Sequence, residues 1–202
     1  MKRITLAAAA ILAVAGTAFA FTDEGSRRFS EFLNGLNEAA AVVSTTGNGT
    51  FRATISKDGT KINYVLTYKE MEGDVTQAHI HIGLPQNSGG VVLWLCDSAV
   101  NPSPVATTPM CNQDNPSDLR SGTVSGTLTA ADVQTLTANG ILGATATTPG
   151  EFEEVVALIR AGKTYVNVHT TKFAPGEIRS QLDNRGNDGN SHGGHDGHGG
   201  DR

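Results

Sequence analysis

The chain has 202 residues, a formal net charge of −5, 38% hydrophobic and 17% charged residues, and 24 glycines. Two cysteines are too few for a disulfide-built scaffold, and the charge content is too low for a charge-driven disordered chain. An acidic chain without a Lys/Arg block makes nucleic acid a poor partner, because phosphate neutralisation needs clustered cations. The apolar content supports one real core, not a bundle of membrane helices.

Lys2 and Arg3 precede an apolar run over residues 4–16, and Ala18-Phe19-Ala20 supplies the small residues of a cleavage site. This is the pattern of a secretory signal peptide over residues 1–20, and the run is short for a membrane span. The mature chain then starts at Phe21, secreted or periplasmic, with a net charge of −7 once Lys2 and Arg3 are gone. Residues 21–31 read as a charged lead-in. Residues 32–182 carry all the periodic apolar segments and form one domain. Residues 183–202 hold seven Gly, three His and no large apolar side chain, so a disordered tail is expected there.

Within the domain the apolar residues recur with a period of two, the signature of strands. Phe51, Ala53 and Ile55 alternate with Arg52, Thr54 and Ser56. After Lys57-Asp58-Gly59, a turn in which Gly supplies positive φ, Ile62, Tyr64, Leu66 and Tyr68 alternate in the same way. That predicts a hairpin. Further strands are predicted over residues 77–82, 91–96, 122–128, 163–170 and 177–182, the last two joined through Pro175-Gly176. Helical signals fall between strands. Thr129-Ala130-Ala131-Asp132 resembles a capped start, with Val133 and Leu136 as a short apolar face. Phe152, Val155, Val156 and Ile159 fall at i, i+3, i+4 and i+7, and Gly162 is placed to end that helix. The predicted fold is all-β: an antiparallel β-sandwich or barrel with one or two short helical insertions. Cys96 and Cys111, the only cysteines of an exported chain, are expected to pair as a disulfide.

A series of segments carries a family resemblance. Leu33-Asn34-Gly35-Leu36-Asn37-Glu38 fits an L-x-G-x-x-E opening, and Ala78-His79-Ile80-His81-Ile82-Gly83 fits A-H-I-H-x-G. Gly122-Thr123-Val124-Ser125-Gly126-Thr127-Leu128-Thr129 fits G-x-V-x-G-x-L-T. Tyr165-Val166-Asn167-Val168-His169-Thr170 and Pro175-Gly176-Glu177-Ile178-Arg179-Ser180-Gln181 fit Y-x-N-x-H-T and P-G-E-I-R-G-Q. In this order and spacing the chain resembles the CHRD domain, the repeated module first described in chordin. It departs at Ala39-Ala40, where the family continues with prolines, and at Ser180, where the family has Gly. The resemblance implies an immunoglobulin-like β-barrel of secreted and bacterial proteins and no particular activity. Growth-factor binding by chordin is credited to other modules and is not carried over.

Strand alternation gives each of three segments a polar face: His79 with His81, Asn167 with His169, and Glu177 with Arg179 and Gln181. If these strands are neighbours, the faces merge. One reading is a hydrogen-bonded network of His79, His81, Asn167, His169, Glu177, Arg179 and Gln181 that pins the strands. The other is a copper or zinc site on His79, His81 and His169, since imidazole suits both ions. An H-x-H pair on such a barrel is similar to Cu/Zn superoxide dismutase, but three core histidines are too few for its dinuclear site. His192, His195 and His198, set among Gly and Asp, would capture such ions loosely. G-x-S-x-G, H-E-x-x-H and P-loop motifs are absent from the sequence, so no catalytic residue is assigned. The sequence thus predicts an exported, non-enzymatic binding or structural module with no assured cofactor. Its expected partner is a protein or extracellular ligand, with no nucleic acid and no membrane span after signal cleavage. A copper- or zinc-binding protein is the alternative.

Overall fold

The computed structural model of the protein describes residues 27–183, so the expected signal peptide, most of the lead-in and nearly all of the expected tail lie outside the described residues. In chain order it contains β1 (Arg28–Asn34), β2 (Asn48–Ile55), β3 (Ile62–Lys69), β4 (Val75–Ile82), β5 (Val91–Cys96), β6 (Gly122–Leu128), the helix α1 (Phe152–Arg160), β7 (Thr164–Thr170) and β8 (Ile178–Gln181). The strands form one antiparallel sheet of order β5-β4-β7-β8-β1-β2-β3-β6. Its terminal strands β5 and β6 meet, so the sheet curls into a nearly closed barrel. This is the all-β antiparallel architecture expected from the sequence.

Alternation sets the core. Phe51, Ala53 and Ile55 of β2 face Leu66, Tyr64 and Ile62 of β3 across the ladder, all buried. Ala78 and Ile80 of β4 face Val168 and Val166 of β7 on the same inner side. Two tyrosines tie the interior across the barrel: Tyr64 Oη donates to Leu95 O at 2.5 Å and Tyr68 Oη to Cys111 O at 2.7 Å. Tyr64 sits opposite Gly126 of β6, where a Cβ would lie 2.6 Å from the phenolic oxygen; only Gly fits beside that ring.

β1 is a strand that the sequence pattern does not mark, and it starts inside the expected lead-in. Arg28–Asn34 pairs along its whole length with β2, from Arg28↔Thr54 to Asn34↔Asn48. Its inward face has only Phe29 and Leu33, with Glu31 between them and Phe32 on the exposed face, so no clean alternation marks the stretch until the partner strand is in place. The helical expectations divide. α1 forms as predicted and buries Phe152, Val155, Val156 and Ile159. The stretch after Thr129 gives a single 3-10 turn, Ala130–Asp132, closed by a capping box between Thr129 and Asp132. Val133 is already extended, because its side chain goes into the core instead of continuing a helix. Cys96 and Cys111 are bonded, with Cα atoms 4.8 Å apart, and fasten the segment after β5 to the end of that strand. Among the described residues no helix is long and apolar enough to cross a membrane.

Candidate metal centre

The inner residues of β4 and β7 are apolar, so the alternate residues face outward. Strand register lines them up across four strands. Trp94 of β5, His79 of β4, Asn167 of β7 and Arg179 of β8 form one row. His81, Tyr165 and Gln181 form the next, and Gln77 with His169 flanks the first row on the other side. His79 and His81 are thus two apart on one strand, and His169 is a diagonal neighbour of His79. β5 carries bulges against β4 between Ala78 and His79 and between Ile80 and His81, which leave Leu95 and Val92 unmatched and turn Trp94 outward beside His79.

An outward face would ordinarily be wet, yet His79, His81 and His169 are 2%, 6% and 7% exposed. Loops roof them. His81 Nδ1 donates to Gly89 O at 3.0 Å, and Gly89 N donates to Tyr165 Oη at 3.0 Å. Arg179 donates to Leu84 O and Asn87 O of the same loop at 2.8 and 3.1 Å. From the β7–β8 connection, Ala174 O accepts from His169 Nδ1 at 2.9 Å. From the segment after β1, Glu38 accepts a 2.5 Å bond from Asn167 Nδ2. Gly176, with φ +137°, lets that layer close: a Cβ there would lie 2.4 Å from Asn167 Nδ2.

Inside this roof the three imidazoles converge. Ring centres are 5.3 Å apart for His79–His81, 5.0 Å for His79–His169 and 5.8 Å for His81–His169. Their ligand atoms all lie within 4.8 Å of one another. A carbonyl can only accept, so His81 and His169 carry their proton on Nδ1 and present a bare Nε2 lone pair. Those two Nε2 atoms and both nitrogens of His79 are buried with no hydrogen-bond partner. Burial keeps the rings neutral. His81 is held down to about 4, helped slightly by Arg179 and His169 and opposed by its bond to Gly89. His79 is held lower still, by burial first and then by its two histidine neighbours, and His169 is lowered by burial. In His81 and His169 a free lone pair stands opposite an Nδ1–H anchored on a carbonyl, the arrangement of metal-ligating histidine whose other nitrogen is fixed by an outer partner; His79 has no such anchor. A trigonal ion with bonds near 2.0 Å needs nitrogens roughly 3.5 Å apart, so the cluster would contract by about an ångström.

Of the residues grouped from the sequence, the structure brings His79, His81 and His169 into ring contact and sets Asn167 and Arg179 in the row of His79. Glu177 stands apart from these rows, and Gln181, in the row of His81 and Tyr165, bonds to loop carbonyls instead of to a histidine. Glu177 is fully buried and accepts from Thr45 Oγ1, Glu72 N and Thr170 Oγ1 at 2.6, 2.8 and 2.7 Å. Gln181 donates to Gly83 O and Gly162 O at 2.9 and 3.0 Å. His192, His195 and His198 lie outside the described residues. Three neighbours escaped the sequence reading. Trp94 packs its ring edge-on to His79 at 4.2 Å. Tyr165 stacks on His81 at 4.7 Å, and Arg179 lies over Tyr165. Glu38 is buried, with its carboxyl pushed up to about 7 by desolvation against the pull of Arg179 and Asn167. Tyr165 has the parity of Asn167 and His169 and was within reach of the pattern; Trp94 was not, because the bulges break the alternation of β5. A cleft of about 600 Å³ beside Glu38 and Arg179 has Leu36, Val42 and Pro85 on its walls and none of the three histidines.

The polar side chains of this antiparallel barrel thus gather in a loop-roofed layer on one side of the sheet. The family model of the CHRD domain matches residues 29–182, and the chain belongs to that family. No curated protein and no solved structure matches it.

Proposed function

We propose that this CHRD domain is a metal-binding module that holds one copper or zinc ion on His79, His81 and His169. One observation carries the reading: three buried neutral imidazoles face each other with four ring nitrogens unpartnered. Each buried polar atom without a bond costs about 1–3 kcal/mol, which a purely structural cluster would have no reason to keep. An ion satisfies the lone pairs at once. Asn167, Glu38 and Arg179 act as supports, since their bonds go to loops and hold the roof over the rings. The module works outside the cytosol and performs no catalysis; its disulfide and its family fit an extracellular or secreted protein. The tail histidines His192, His195 and His198 add a second, loose capture site.

The test is elemental analysis of tag-free full chain in which His192, His195 and His198 are changed to Asn. One metal per chain is expected, and its loss in a folded His81→Ala variant. A metal-free product from medium supplemented with copper and zinc, which also takes up neither ion afterwards, sinks the reading.

A further inference from the structure

The three-imidazole cluster has no negative charge of its own. Among the described residues no carboxylate or thiolate joins His79, His81 and His169. The charge stacked onto the cluster is a cation. The Arg179 guanidinium carbon lies 3.3 Å from the Tyr165 ring centre, and that ring lies 4.7 Å from the His81 ring, 4° from parallel. The guanidinium is therefore no more than about 8 Å from the His81 ring centre. Glu38, the acid nearest Arg179 in this layer, is bonded to Asn167 and not to any of the histidines. Trp94 and Tyr165 wall two of the three rings and restrict how far the coordination can expand.

We propose that this centre is a cuprous site, taking one monovalent Cu(I) ion trigonally on His79, His81 and His169 in preference to Zn(II) or Cu(II). The inference rests on the metal-binding reading above and narrows it to one ion class. Desolvation of an ion in a low-dielectric site grows with the square of its charge, so a dication costs about four times as much to bury as a monocation of the same size. Neutral ligands offset none of that difference. The Arg179 charge adds to it: at an effective dielectric near 20 and about 8 Å, each further unit of positive charge is disfavoured about 30-fold. Coordination number points the same way. Three nitrogens complete a trigonal Cu(I) shell, whereas Zn(II) calls for a fourth ligand.

The experiment uses the full chain with His192, His195 and His198 changed to Asn, so that only the core cluster responds. Trp94 is the sole tryptophan and lies 4.2 Å from the His79 ring, so its fluorescence reads occupancy directly. Anaerobic titration with Cu(I) buffered by bicinchoninate, and separately with Zn(II) buffered by nitrilotriacetate, yields the two dissociation constants. The expected result is one Cu(I) per chain, bound at least about 30-fold more tightly than Zn(II). The response to Cu(I) should vanish in His169→Asn or in His81→Gln, whichever retains the circular dichroism of the parent. Zn(II) bound as tightly as Cu(I), or more tightly, overturns the cuprous assignment and leaves the three-histidine centre standing. Binding of neither ion overturns both.

Discussion

Replacing His79 by Leu removes the one ring whose two nitrogens are both buried and unpartnered. Each orphan costs about 1–3 kcal/mol, so the substitution relieves roughly 2–6 kcal/mol. Two losses oppose this. The edge-on contact with Trp94 is worth about 0.5–1.5 kcal/mol, and repacking a side chain of similar volume costs under about 1.5 kcal/mol. The terms sum to between about −1 and 5 kcal/mol, so the metal-free His79→Leu chain should be more stable than the metal-free parent by about 2 kcal/mol. Urea unfolding of chelator-treated protein reads this as a higher midpoint with an unchanged m-value. The gain comes at the expense of function: added Cu(I) or Zn(II) should raise the midpoint of the parent and leave that of the variant where it was. A metal-free variant less stable than the parent by more than about 1 kcal/mol would mean that His79 makes stabilising bonds of its own and is not an orphaned ring.

Acid should act on the metal-free chain through two opposing groups. An unfolded histidine titrates near 6.5 and folded His81 near 4, so below about 6.5 the unfolded chain binds more protons and stability falls with pH. Glu31 and Glu38, raised to about 7 by burial, act oppositely: their contribution is present below about 4.5 and is lost as pH rises toward 7. The two offset each other down to about pH 4.5; below it the histidines lose that opposition, and the carboxyls of Asp58 and Glu72, held low by their hydrogen bonds, add to the loss, so urea midpoints should fall as pH drops below about 4.5; a highest midpoint at pH 4 would contradict this. Changing Cys96 and Cys111 to Ser should lower stability by about 3 kcal/mol for a loop of this length, and reduction of the parent should raise its intact mass by about 2 Da. Gly176→Ala drives a Cβ to 2.4 Å from Asn167 and 2.7 Å from Glu38. It should cost about 2 kcal/mol or more in urea, and an unchanged midpoint would mean that the roof closes differently.

The parts of this fold that are local were legible in the sequence. The β2–β3 hairpin has unbroken alternation on both sides of a Gly59 turn, and its register, Ile55↔Ile62, follows from the turn. α1 was legible because four apolar residues mark one face. Parity also put His79 with His81 and Asn167 with His169. It could not bring the two pairs together, since β4 and β7 are far apart in the chain and pair only through the sheet order. β1 was hidden because Glu31 interrupts the Phe29–Leu33 pattern, and its pairing with β2 is what makes it a strand. Glu177 shares the parity of Arg179, but it precedes the first paired residue of β8 and follows Gly176, whose backbone turns its carboxylate toward Thr45 and Thr170. The roof is the least legible part. Gly89 and Ala174 contribute only backbone groups, which leave no trace in residue type.

X-ray absorption on the Cu(I)-loaded full chain, with Asn at the three tail histidine positions, tests the three-histidine centre most directly. The expected result is a first shell of three nitrogens at roughly 2.0 Å, with the outer-shell scattering of three imidazole rings, and loss of one ring in His169→Asn. A shell of oxygen or sulfur, or a spectrum unchanged by His169→Asn, would contradict it.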